Sequence, residues 1–407
     1  MSLVHNSKHK IKNVQRTIDG ILNGDVPFTA GRKALERLQS VFDKLEKNLD
    51  RAIKLKDQAN ISTVANNVNL KILQILPILG FILRSTNVRN AFELLQPLQV
   101  IANAAMQGSP ELILSSEWDY IPFAYPQSLE DLKSYVLIGL PASEAASALL
   151  VPIAGHELGH AVWRNRGLSS NLQITLDFHC NNRFQANLPE FKRTFPQYDE
   201  ADVFNREILT DSISEALEFA ELQAEEIFCD LFAYALFGPS YVHAFAFILA
   251  PSPGGYRTGK YPTYSTRIAI ISDIAKREGV PLPTHLQLDF GIDSRGIDEK
   301  HRFVVRMADE SVQLIVTALW DKVISVLAEG RLSRPVELNA NRHLKDLQLG
   351  IPPSAPICLG DIVNAGWLRY HEITNSSNPD RASEELDRLN ELLLKTIEVL
   401  EFRVRTS

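Results

Sequence analysis

The pattern that most limits how this chain can fold is His156-Glu157-Leu158-Gly159-His160, set among Ile153, Ala154, Gly155, Ala161 and Val162. Apart from Glu157 and the two histidines this stretch carries no acidic or basic side chain until Arg164, so it belongs inside a core. The segment from Ser143 to Arg166 reads as a helix stopped by Gly167, a residue suited to the left-handed turn that ends helices. On a helix, residues four apart project from one face. The two imidazoles can therefore share a metal while Glu157 points toward the water the metal activates. Buried imidazoles and a buried carboxylate are costly unless compensated, and a divalent cation compensates them directly.

A zinc site of this kind takes three protein ligands and leaves a fourth position for water. The pattern HExxHxxGxxH fails, because Trp163 stands where glycine belongs and Arg166 where histidine belongs. A second helix, from about Asp211 to Phe237 and closed by Gly238-Pro239, offers Glu215, Glu218, Glu221, Glu225 and Glu226. Asp211, Ser214, Glu218, Glu221 and Glu225 fall three and four apart as a polar stripe that faces water. Glu226 lies about 100° from Glu225, in line with Phe219, Leu222, Cys229 and Ala233. This spacing predicts His156, His160 and Glu226 as ligands of one Zn2+ per chain, with Glu225 in reserve. Asp230, within an apolar run, needs a partner, and the outer ring nitrogen of a zinc-bound histidine would supply one. The competing reading gives Glu226 and Asp230 to an arginine or to helix-capping amides.

His156-Glu157-xx-His160 followed by Glu226-xxx-Asp230 resembles the gluzincin metallopeptidases. Glu226-Ile-Phe-Cys-Asp230-Leu-Phe-Ala233 is similar to the ExxADxxA signature of the HtpX and prenyl-protein protease group. Val136 to Leu140 resembles that group's short strand before the HExxH helix, and Tyr261-Pro262-Thr263 through Arg267-Ile268 its HPP...RI segment, with tyrosine for histidine. The resemblance covers roughly residues 111 to 275 and implies a zincin-like metallopeptidase domain. Glu157 would be the general base and acid, and an oxyanion donor is nominated from Tyr261 and Arg267, with Tyr264 and His243 as rivals.

The expected fold is mainly α (α+β): a zincin-like core with a small sheet, flanked by helical regions. The segments are a helical region at 1–110, the metallopeptidase domain at 111–277, and a helical region at 278–407. In the first, Leu35, Leu38, Phe42, Leu45 and Leu49 recur at helical spacing from Lys8 to about Met106. Leu112 to Phe123 and Tyr135 to Pro141 read as strands, the stretch from Ile113 to Tyr120 being a candidate edge for an extended substrate. Residues 169–211, rich in Asn, Gln and Glu, read as a polar insertion or lid, and Ser265 to Arg277 as a further helix. Beyond them lie proline-rich linkers and two amphipathic helices, His301 to Ala328 and Ala382 to Arg403.

With 42 basic against 49 acidic residues the chain has no global positive field, so no nucleic-acid partner is expected. Cys180, Cys229 and Cys358 lack CxxC spacing, and the basic start of the chain lacks an unbroken apolar run, so a cytoplasmic location is expected. The greasiest segment, Leu70 to Leu83, contains Lys71, Gln74, Pro77 and Gly80 and reads as a core helix, not an integral membrane span. Two functional readings follow. One is a zinc metallopeptidase acting on a peptide or protein substrate. The other is a catalytically dormant zinc-containing regulatory or scaffold protein that binds a partner or itself through the helical flanks, its fourth zinc position filled by His179 or another side chain.

Overall fold

The computed structural model describes residues 3–24, 26–85, 91–118, 122–125, 130–198, 203–249, 258–282, 298–352, 358–376 and 379–406. The protein is mainly helical with one small sheet, and it divides into two compact units. The first comprises the chain up to Leu95 with Gly108–Ala146; the second comprises Gln96–Gln107 with everything from Ser147 onward.

In the first unit, helices α1 (Leu3–Leu22), α2 (Thr29–Leu55) and α3 (Gln58–Ser85) pack together. The leucine stripe of α2 is buried as its spacing demands, Leu35, Leu38, Phe42 and Leu49 meeting Ile11, Ile18, Ile75, Phe81 and Ile82. Of the described helices α3 is by itself long and apolar enough to cross a membrane, yet its Val68, Ile72, Ile75, Leu79 and Ile82 belong to this core. Strands β1 (Glu111–Glu117), β2 (Phe123–Ala124) and β3 (Tyr135–Pro141) form a sheet of order β1-β3-β2. β1 runs parallel to β3 with Leu114 opposite Ile138, and β2 runs antiparallel with Phe123 opposite Gly139. A side chain at Gly139 would lie 2.7 Å from the Phe123 ring, so this crossing needs glycine. The strand read from Leu112 to Phe123 is thus two strands, and Tyr120 and Ile121 between them lie outside the described residues. Ile113 and Leu137 point the sheet into the N-terminal helical core, so the compact units cut the chain elsewhere than the three sequence segments do.

Helix α4 (Phe92–Ala105) runs from one unit into the other. The second unit is built on α5 (Val151–Asn165) and α8 (Val203–Phe237), which pack closely along their lengths. α5 begins later than Ser143, after the turn Ala148–Leu150, with Pro152 in the first helical turn where no donor is lost. Gly167 takes a positive φ of 60° beyond its end, as expected. The segment read as a polar insertion or lid contains the helices α6 (Leu168–Ala186) and α7 (Leu188–Thr194). Leu168, Leu172, Leu176, Cys180 and Phe184, spaced four apart, form a narrow buried stripe on α6. Phe184 packs with Phe191, and both meet Phe303 of α11 (Glu299–Gln313).

Two short helices complete the surroundings of the α5–α8 pair, α9 (Pro239–Leu249) and α10 (Tyr264–Arg277), the latter as the sequence predicts. The helix read from His301 to Ala328 is two, α11 and α12 (Val316–Gly330), bent by 50°. The β-branched run Val312, Ile315, Val316, Thr317 at the break is a poor helix former. Stretches read as linkers contain α13 (Glu337–Gln348) and α14 (Leu359–Ser376), and α15 (Pro379–Thr406) closes the described chain. Trp367 of α14 donates to the Leu149 carbonyl and Asn390 of α15 accepts from the Ala148 amide, so the C-terminal helices hold the turn that launches α5.

Candidate metal centre

Two glycines of the histidine helix let α5 and α8 approach. A Cβ on Gly155 would lie 2.5 Å from the Phe237 ring, and one on Gly159 would lie 2.9 Å from the Cys229 Cα. Each would force the helices apart. With both absent, His156, His160 and Glu226 converge, and the potential ligand atoms lie within 4.8 Å of one another. Glu226 Oε2 is 3.6 Å from His156 Nε2, and Glu226 Oε1 is 3.5 Å from His160 Nε2. Ligands about 2.0–2.2 Å from a tetrahedral zinc stand roughly 3.3–3.6 Å apart. The two contacts run to different oxygens of Glu226, and the three expected ligands are brought together as a group that could hold a metal ion.

The outer nitrogens of both rings also find carboxylates. His156 Nδ1 is 3.1 Å from Asp230 Oδ1, the pairing expected for Asp230, and His160 Nδ1 is 2.8 Å from Glu225 Oε1. Glu225, held in reserve as a ligand, contacts the outer nitrogen of His160, one of the expected ligands. The arginine alternative is realised at the same time. Arg267 places Nε 2.7 Å from Asp230 Oδ2, Nη2 2.6 Å from Asp230 Oδ1 and Nη1 3.4 Å from Glu226 Oε2. It is buried beneath the Phe245 ring, whose centroid lies 4.9 Å away.

Tyr241 of α9 was not singled out by the sequence. Its hydroxyl donates to Asp230 Oδ1 at 2.5 Å and stands 3.2 Å from His156 Nδ1. Its position comes from the turn between α8 and α9. Gly238 there adopts a φ of 58°, its would-be Cβ 3.1 Å from Pro335, and Asn364 of α14 bonds both the Phe237 carbonyl and the Ser240 amide. The only sequence signal for Tyr241 is a tyrosine in the first turn of an apolar helix right after the ligand helix.

Charges in this cluster follow from their neighbours. Burial disfavours the charged form of His156, but the bonds to Asp230 and Glu226 outweigh it and raise its pKa to about 10. Burial likewise opposes ionisation of Glu226, yet His156, Arg267 and His160 bring it down to about 2. Against its own burial, Asp230 is held well below the usual carboxylate range by Arg267 and His156. Four carboxylates, Glu157, Glu225, Glu226 and Asp230, act together on the Cys229 thiol, while Arg267 pairs with two of them, Asp230 and Glu226, and His156 is the second positive group.

Glu157 is buried beside His156, near enough to Tyr261 and Cys229 to help raise their pKa, burial being the larger cause for each. Tyr261 is half-exposed, and Glu226, Arg267 and Glu225 also act on it. Its segment is tied to α8 by the Gln223 amide, which donates to the Gly259 carbonyl. The preceding turn-rich residues 250–257 lie outside the described residues. The two rivals have aromatic neighbours. Tyr264 packs edge-on against Phe245, and His243 shares a 3.2 Å contact with His371 and stacks on Trp367. His179 lies on α6 against Phe178, and Cys229 is a buried thiol at the Gly159 contact. Side-chain exposure rises from 2% at Asp230 to 9% at His156, 17% at His160 and 22% at Glu225, so the cluster opens toward solvent on the His160 side.

The chain matches no family model, no curated protein and no solved structure.

Proposed function

We propose that the protein is a zinc-dependent metallopeptidase of the gluzincin type, its α5–α8 pair serving as a zincin-like core. The observation that carries this reading is the convergence of His156, His160 and Glu226 with Glu157 one residue away, in a cluster of four carboxylates. Zinc, which suits a set of two imidazoles and one carboxylate, supplies a polarised carbonyl and a water of lowered pKa when bound. His156, His160 and Glu226 would hold the ion, the two rings with the Nε2 atoms that face Glu226. Asp230 and Glu225 orient the two rings from behind.

Glu157 takes the proton of the attacking water and returns it to the leaving amine of the peptide substrate. The Tyr261 hydroxyl, on a segment anchored to α8, donates to the developing oxyanion. Arg267, nominated beside it, has its three nitrogens turned to Asp230 and Glu226 and acts by holding them in place. Partial exposure of His160 and Glu225 supports access for water and substrate on that side of the cluster.

Replacing Glu157 by Gln tests the assignment: metal content by elemental analysis stays at one zinc per chain while peptide cleavage falls by a factor of at least about 100. An unchanged rate refutes the role of Glu157. Zinc in both forms with cleavage in neither transfers support to the dormant scaffold.

A further inference from the structure

We propose that Tyr241 is a positioning residue of this centre: its phenol keeps the ring proton of His156 on Nδ1 and so leaves the Nε2 lone pair facing Glu226 and His160. This inference rests on the metal-site reading above and extends it to a residue outside both motifs.

The argument is one of donors and acceptors. The Asp230 carboxylate takes Arg267 Nε on one oxygen and Arg267 Nη2 on the other, so it is an anion that only accepts. The Tyr241 phenol owns a single proton and directs it at Asp230 Oδ1 over 2.5 Å. Toward His156 Nδ1, 3.2 Å away, it can then show only lone pairs. Asp230 Oδ1 approaches that same nitrogen at 3.1 Å. Both atoms facing Nδ1 are acceptors, and a nitrogen between two acceptors carries hydrogen. In the neutral ring Nε2 must then be bare, which is the form a metal needs.

Asp230 alone would be a weaker guide. Its Oδ1 is shared among Arg267, Tyr241 and His156, and the guanidinium grips both carboxylate oxygens. Tyr241 adds a second acceptor from a different helix. Its ring is fully buried and lies nearly parallel to the imidazole, 5° between planes with centroids 6.2 Å apart, which restricts rotation of His156. Asn364 bonds both sides of the α8–α9 turn from which Tyr241 projects.

The test measures zinc affinity by competition with a chromogenic chelator for wild type, Tyr241→Phe and Tyr234→Phe. Tyr234 is another buried tyrosine, on α8 beside Trp320, and serves as the control. The expected result is a loss of about 10- to 100-fold for Tyr241→Phe and none for Tyr234→Phe. Equal affinity of Tyr241→Phe and wild type overturns the proposal. A second readout needs no variant: long-range nitrogen–proton NMR of zinc-loaded wild type with labelled histidine should show His156 protonated at Nδ1. Protonation at Nε2, or zinc on Nδ1, overturns the proposal even if Tyr241→Phe does not fold. A wild type that takes up no zinc overturns the metal-site reading itself, a failure told apart because it precedes any variant.

Discussion

His156 on α5 and His343 on α13 are both buried in helices of the same unit, and their surroundings push them in opposite directions. His343 is 1% exposed, neither ring nitrogen has a hydrogen-bond partner among the described residues, and Asp346 stands 3.8 Å from Nδ1. Burial dominates there and lowers the pKa below 6.5, although Asp346 and Asp361 pull the other way. His156 is almost as buried, but carboxylates at 3.1 and 3.6 Å outweigh the cost and favour positive charge. Burial by itself neutralises a histidine. The difference lies in how closely the acids approach, Asp230 and Glu226 at 3.1 and 3.6 Å against Asp346 at 3.8 Å, and the α5–α8 cluster is the one that could hold a cation.

The comparison breaks most strongly at Arg267. Arg267→Met leaves Asp230 and Glu226 buried with less positive charge, and chemical denaturation of the metal-free protein should show a loss of about 3–5 kcal/mol. Zinc should restore part of that loss; an unaltered midpoint would mean the acids are solvated. Next comes Gly159→Val, which pushes a Cβ against Cys229 and should cost about 1–3 kcal/mol while weakening zinc uptake. Full affinity in that variant would show that the helix approach is not what gathers the ligands. The smallest effect belongs to His343→Leu, which removes two unpartnered ring nitrogens and should change stability at neutral pH by no more than about 1 kcal/mol.

The sign of the pH effect sharpens the contrast. Because the folded-state pKa of His343 lies below its unfolded value, its contribution is intact above pH 6.5 and is lost as pH falls, when the unfolded chain takes the proton first. His343→Leu should flatten the melting temperature profile below that pH. A profile identical to wild type would remove His343 from the account.

The convergence of two histidines and a glutamate was legible because two helical periodicities were enough to find it. Residues four apart on one helix and the apolar stripe of the next select His156, His160 and Glu226 with no knowledge of topology. Asp230 was legible for the same reason, since a carboxylate within an apolar run must have a partner. Tyr241 and Arg267 were harder. A hydroxyl that reaches back across a tight turn and a guanidinium that turns inward depend on how α9 and α10 return to α8, and no spacing along the chain encodes that. The narrow i,i+4 stripe of α6 was present in the sequence but masked by the polar residues around it. The parallel pairing of β1 with β3, and the sheet's burial against the N-terminal helices, depend on contacts far apart in sequence, which local pattern does not fix.

Glu225, Glu226 and Asp230 occupy less than two turns of one helix, so their mutual placement is set by the 100° step and 1.5 Å rise of the α-helix. The spacing among these acids is therefore inherited from backbone geometry that loop sequence cannot alter. Insertions or exchanges in the connecting segments can reshape access to the cluster while its internal dimensions stay constant. Variation in what enters and constancy in what grips are separable in such a design.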